Sequence, residues 1–66
     1  MREGVEEALS ALQQAMRNEL EGIALYQEAV ERTEDGLGKK MFRSLANDEE
    51  EHLRILQAEY GSLMGT

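Results

Sequence analysis

Glu49 and His52 stand three residues apart, and Glu19 lies thirty residues before Glu49. On a helix a three-residue step returns to nearly the same face, so this carboxylate and imidazole leave one face a turn apart, as two donors to one metal ion must. The residues around all three at helical spacing are mostly Leu, Ile, Met, Phe and Tyr. A carboxylate held in such surroundings without compensation costs on the order of several kcal/mol. Like charges brought this close cannot all stay ionised unless something positive lies among them, and a divalent or trivalent cation supplies that charge. The chain has no cysteine. Thiolate-bound zinc, iron–sulfur clusters and rubredoxin-type centres are therefore excluded within it, and bound metal must sit on oxygen and imidazole. Mixed ligation of that kind suits iron or manganese better than magnesium, and zinc would also bind.

The elements that must position these residues are helices. The sequence has no proline and is filled with Ala, Leu, Glu, Gln, Met and Arg, so the fold class is all-α. Leu9, Leu12, Met16, Glu19, Ile23, Tyr26, Val30 and Thr33 step by three and four residues, which predicts a helix over about 5–33. Beside that seam runs a stripe of small residues, Ala8, Ala15, Gly22 and Ala29, that would let another helix come close. Residues 34–37 form the predicted turn, with Asp35 as N-cap and Gly36 free to take positive φ. A second helix is predicted over about 38–60, its seam running through Phe42, Leu45, Glu49, His52, Leu56 and Glu59 to Leu63. The whole of 1–66 reads as one antiparallel helical hairpin.

Depth along the hairpin lets the three residues meet. At 1.5 Å per residue Glu19 lies about 21 Å before Thr33, and the Glu49–His52 pair roughly 19 Å beyond Gly38. Tyr26, one heptad past Glu19, could point its hydroxyl at the same place. Asp48 could accept the free ring N–H of His52 on a neighbouring copy and so fix its tautomer. Glu50 and Glu51 read as a solvated face, and Glu59 as a structural position near a helix end.

Such a hairpin is short of core. A lone chain of 66 residues usually needs a disulfide, a metal or a partner subunit. Two hairpins would pair into a four-helix bundle, and a two-fold axis would bring four carboxylates and two imidazoles around two metal ions. The predicted partner is the chain itself, as an obligate homodimer. Leu20 and Leu25 lie off the seam, either simply exposed or marking a further interface. Lys and Arg number 7 against 14 Asp and Glu, a formal charge of −7, which argues against nucleic acid and anionic membranes as partners. The sequence holds no apolar run of about 18 residues. Its start, Met1 to Gly4, lacks a signal-peptide pattern and its end, Tyr60 to Thr66, lacks a lipidation signal, so the cytoplasm is the expected compartment.

Glu19-Leu-Glu-Gly-Ile-Ala-Leu-Tyr26 and Leu45-Ala-Asn-Asp-Glu-Glu-Glu-His52 resemble the ligand-bearing helices of the ferritin-like superfamily. The likeness is to the rubrerythrin-like group and its two-helix relatives, the encapsulated ferritins. It covers nearly the whole chain. The resemblance implies two iron ions per dimer interface, bridged by Glu49, with Glu19 and His52 as terminal ligands. Tyr26 would stand beside them, and Glu21 at an iron-entry site, with Asn18 rather than an acid before Glu19. It further implies a ferroxidase that oxidises Fe(II) to Fe(III) for iron storage or detoxification. Such relatives form ring-shaped assemblies of dimers inside an encapsulin nanocompartment. Two other functions fit the same residues. One is a rubrerythrin-like peroxidase, which without cysteine would need an external rubredoxin. The other is a non-enzymatic oligomerisation module whose polar seam sets register.

Overall fold

A computed structural model describes residues 2–65, with side chains from Gly4 to Gly65; sequence readings that fall on Met1 and Thr66, and on the side chains of Arg2 and Glu3, lie outside the described residues. Two helices, α1 (Arg2–Arg32) and α2 (Gly36–Leu63), lie antiparallel as a hairpin measuring 51 × 15 × 12 Å. No helix among the described residues is long and apolar enough to cross a membrane.

The turn is built from side chains that replace missing helical bonds. The Thr33 N–H makes the closing bond of α1, to the Ala29 carbonyl at 2.9 Å. Asp35 is extended at φ −69° and ψ 126°, and its carboxylate accepts the Gly38 N–H at 2.8 Å, the N-cap expected of it. The last carbonyls of a helix have no donor of their own. Lys39 reaches back across the turn and donates from Nζ to the Val30 carbonyl at 2.6 Å. Its ammonium also sits at the negative end of the α1 dipole. One residue thus ties the end of α1 to the start of α2.

The turn is tighter than expected. Gly36 and Leu37, placed in the turn by the sequence, already belong to α2, because the Asp35 cap supplies the first-turn acceptor one step earlier. Gly36 is helical. Among the described residues the one positive φ is at Gly65, 88°, beyond the end of α2. Outside the turn, α1 begins three residues before the expected start and α2 runs three past the expected end.

Every α1 seam position faces inward, from Leu9 through Glu19 to Thr33, as does the small stripe Ala8, Ala15, Gly22 and Ala29. In α2 the predicted seam holds at Phe42, Leu45, Glu49, Leu56 and Leu63 and departs from expectation at two positions. His52 and Glu59 are exposed, and Leu53 and Tyr60 take the inward places. Tyr60 also accepts a hydrogen bond across the hairpin from Gln13 at 3.0 Å. His52 instead joins a second, exposed stripe of mixed character, Leu37, Met41, Ser44, Asp48 and Ile55, whose large apolar members are 73, 57 and 58% exposed.

The core is thin. Among the described residues only Ile23 and Ala46 are buried, and no large side chain is wholly enclosed. The radius of gyration, 15.2 Å, exceeds the ~11 Å of a compact chain of this length. The accessible surface is 5039 Å², against roughly 4,250 Å² for a compact monomer of this mass. The excess of about 800 Å² follows from the elongated shape of a two-helix rod.

Candidate metal centre

Glu19 comes from the middle of α1, Glu49 and His52 from the middle of α2, and the hairpin register sets them level. One donor atom from each lies within 4.8 Å of the others. Metal–donor bonds of about 2.1 Å place two donors across one ion roughly 4 Å apart, so a shift of under about 1 Å would close the group around a cation. His52 Nδ1 is 3.1 Å from Glu49 Oε1 and 3.7 Å from Glu19 Oε1. The two carboxylates are mostly covered, with side chains 21% and 24% exposed, while the His52 ring is 56% exposed. The site is walled on the hairpin side and open on the side of the second stripe.

Two observations fit these residues to a cation. Glu19 Oε1 is buried and, among the described residues, has no hydrogen-bond partner, which for a carboxylate oxygen is costly unless an ion or solvent answers it. The Glu19 carboxyl is also pushed above its ordinary proton affinity. The chief cause is a side-chain hydrogen bond with Glu49; removal from water and the Glu49 charge add to this, and His52 pulls the other way. Two acids crowded this way are what a metal relieves. Gly22 provides the room: a Cβ built there would lie 2.5 Å from Glu49 Oε2.

The remaining sequence-predicted residues fall outside the cluster. Tyr26 is half-buried and stacks on Phe42, ring centroids 6.3 Å apart at 25°, one heptad nearer the turn than Glu19 and Glu49. Asp48 is exposed and, among the described residues, makes no hydrogen bond to His52 of its own chain. Glu21 is exposed on the outer face of α1, as is Glu51 on α2. Glu50, expected to be solvated, is half-buried and lines a groove with Val30, Arg43 and Ala46 on the side of the hairpin away from His52. Glu59 is exposed at its end of α2.

Gly22 and Lys39 were not singled out by sequence reasoning. The first carried a signal: a glycine in mid-helix is less stable than alanine, so its presence among Ala8, Ala15 and Ala29 asks for a cause. The second carried none, since a lysine four residues past Asp35 is an ordinary surface residue by type.

An all-α hairpin with a carboxylate–histidine group able to hold a metal ion is the class that fold and site define. The sequence model of the rubrerythrin family matches residues 10–66, which takes in α1 from Ser10 onward, all of α2 and all three donors. The chain belongs to the rubrerythrin family, within the ferritin-like superfamily, and iron is the metal that membership implies. No curated protein and no solved structure gives a significant match.

Proposed function

We propose that two copies of this hairpin pair through the stripe Leu37, Met41, His52 and Ile55 into a four-helix bundle, and that the completed site is a ferroxidase acting on Fe(II). The observation that carries this is the convergence of Glu19, Glu49 and His52 within 4.8 Å beside an open stripe. One copy provides two carboxylates and one imidazole, half the donor set of a di-iron carboxylate bundle. The uncovered apolar surface and the thin core support pairing as the way to complete it.

Iron would supply the redox couple: two Fe(II) give up one electron each, and oxygen takes the pair with two protons to leave as hydrogen peroxide. The chain does the rest. Glu19 and Glu49 would hold the cations and offset their charge, Glu49 being, by family likeness, the carboxylate shared between them. Metal entry offsets the crowding of the two acids, which must be ionised to bind it. His52 offers Nδ1 to the site, and Asp48 of the other copy accepts its remaining ring N–H, fixing the tautomer. Tyr26 and Phe42 pack together one heptad toward the turn from the donors. A two-helix subunit cannot close a ferritin cage, so Fe(III) would pass to a separate container. By family likeness this is an encapsulin shell in the cytoplasm, holding dimers arranged in a ring.

The test is to add Fe(II) to the metal-free dimer without air, then admit oxygen and follow ferric absorption in the near ultraviolet. Glu49→Ala and His52→Ala should each abolish the rise; unchanged oxidation in both would refute the proposal. Peroxide consumed much faster than oxygen would move the reading to a rubrerythrin-type peroxidase. An oligomer that takes up no iron would leave only the oligomerisation module.

A further inference from the structure

We infer that Gly22 is a positioning residue for the metal centre, its missing side chain being what lets Glu49 lay its carboxylate against α1 and aim it at the site. This rests on the reading of Glu49 as a ligand. The geometry is specific. Glu49 Oε1 points to His52 Nδ1 at 3.1 Å, while Oε2 occupies the space that a Cβ on Gly22 would take, 2.5 Å from it. Carboxylate oxygens move as a rigid pair, so displacing Oε2 also turns Oε1 away from His52 and Glu19.

The contact falls on the free end of the Glu49 side chain. Its Cδ and Cγ would stand 3.4 and 3.7 Å from the added carbon, ordinary packing distances, and no backbone atom is among the three nearest neighbours. A methyl group at position 22 therefore meets the Glu49 carboxylate first. The rest of the stripe behaves differently: Ala8, Ala15 and Ala29 face inward with their methyl groups in place. Glycine stands where the stripe passes beneath a ligand, although alanine would make the better helix. Close helix approach alone does not require it.

Co(II), which reports its ligand geometry by visible absorption, tests this in the metal-free dimer. Gly22→Ala should keep its helical circular dichroism and melt at or above the wild-type temperature. It should bind Co(II) about ten-fold or more weakly, as when a ligand loses its support, and with an altered spectrum. A second readout needs no metal: Gly22→Ala should raise the melting temperature more in a Glu49→Ala background than in the wild type. Equal Co(II) affinity and spectrum in Gly22→Ala would overturn the inference. So would equal melting shifts in the two backgrounds, or a loss of helicity, which would make Gly22 a packing position. A wild-type protein that takes up no Co(II) would instead overturn the metal reading on which the inference stands.

Discussion

Replacing Ile55 by glutamine separates the pairing of two hairpins from the folding of one. Ile55 shares a stripe with His52 and is 58% exposed in the single hairpin, so it contributes little to packing against α1. Glutamine is also the better helix former, and the hairpin should keep its helicity. Full burial of an isoleucine side chain is worth about 1.5–3 kcal/mol. The 58% left exposed corresponds to about 0.9–1.7 kcal/mol per copy on that scale. A two-fold interface counts it twice, about 2–3.5 kcal/mol, or roughly a 20- to 300-fold rise in the dimer dissociation constant. Sedimentation equilibrium measures that constant, and stopped-flow iron oxidation across a dilution series measures its consequence. Oxidation per subunit should fall at concentrations where wild type is still fully active, and should recover when Ile55→Gln is concentrated. A variant that sediments as a monomer yet oxidises iron as fast per subunit as wild type would refute the half-site reasoning. A dissociation constant unchanged from wild type would show that this stripe is not the pairing surface.

Lys39→Met keeps the aliphatic stem but removes the donor to the Val30 carbonyl; it should cost about 1–2 kcal/mol, seen as a melting temperature lower by several degrees, with iron oxidation intact while the protein is folded. Because the Glu19 carboxyl is raised above its ordinary 4.5, the metal-free fold holds that proton more tightly than the unfolded chain. Glu19 therefore favours folding in acid, and this contribution is lost as pH rises from about the ordinary value through the raised one. Glu19→Gln should flatten that part of the melting profile, and a wild-type-minus-variant difference independent of pH would contradict it. Fe(II) added without air at a free concentration a hundred times its dissociation constant should stabilise the wild type by about 2.7 kcal/mol per site. His52→Ala should lose most of the resulting melting shift.

The first helix was legible in the sequence almost residue by residue, because one partner covers it and one stripe of eight positions records that partner. The second helix was harder for a physical reason. It carries two stripes side by side, one with Leu53 and Tyr60 facing α1 and one with Met41, His52 and Ile55 facing outward. After Glu49 a step of three leads to His52 and a step of four to Leu53, and after Leu56 the same choice falls between Glu59 and Tyr60; spacing alone does not decide between them, and the structure takes the longer step each time. Level placement of the three donors could be foreseen, since it depends only on helical rise and on where the turn falls. The end of the turn could not, because glycine after a capping aspartate suits a helical start as well as a positive φ. Nor does sequence show that Glu49 leans on Gly22, which depends on how closely the two backbones approach.

The two buried residues, Ile23 and Ala46, sit one turn from the donors, Ile23 four places after Glu19 and Ala46 three before Glu49. Long helices open from their ends, and opening stops where packing is densest. In a rod 51 Å long with so thin a core, amide hydrogens near the far ends of α1 and α2 should exchange with solvent early, and those around Ile23 and Ala46 last. Glu19 and Glu49 lie one turn from that pair, toward the free helix ends, so their spacing can survive breathing motions confined to the outermost turns.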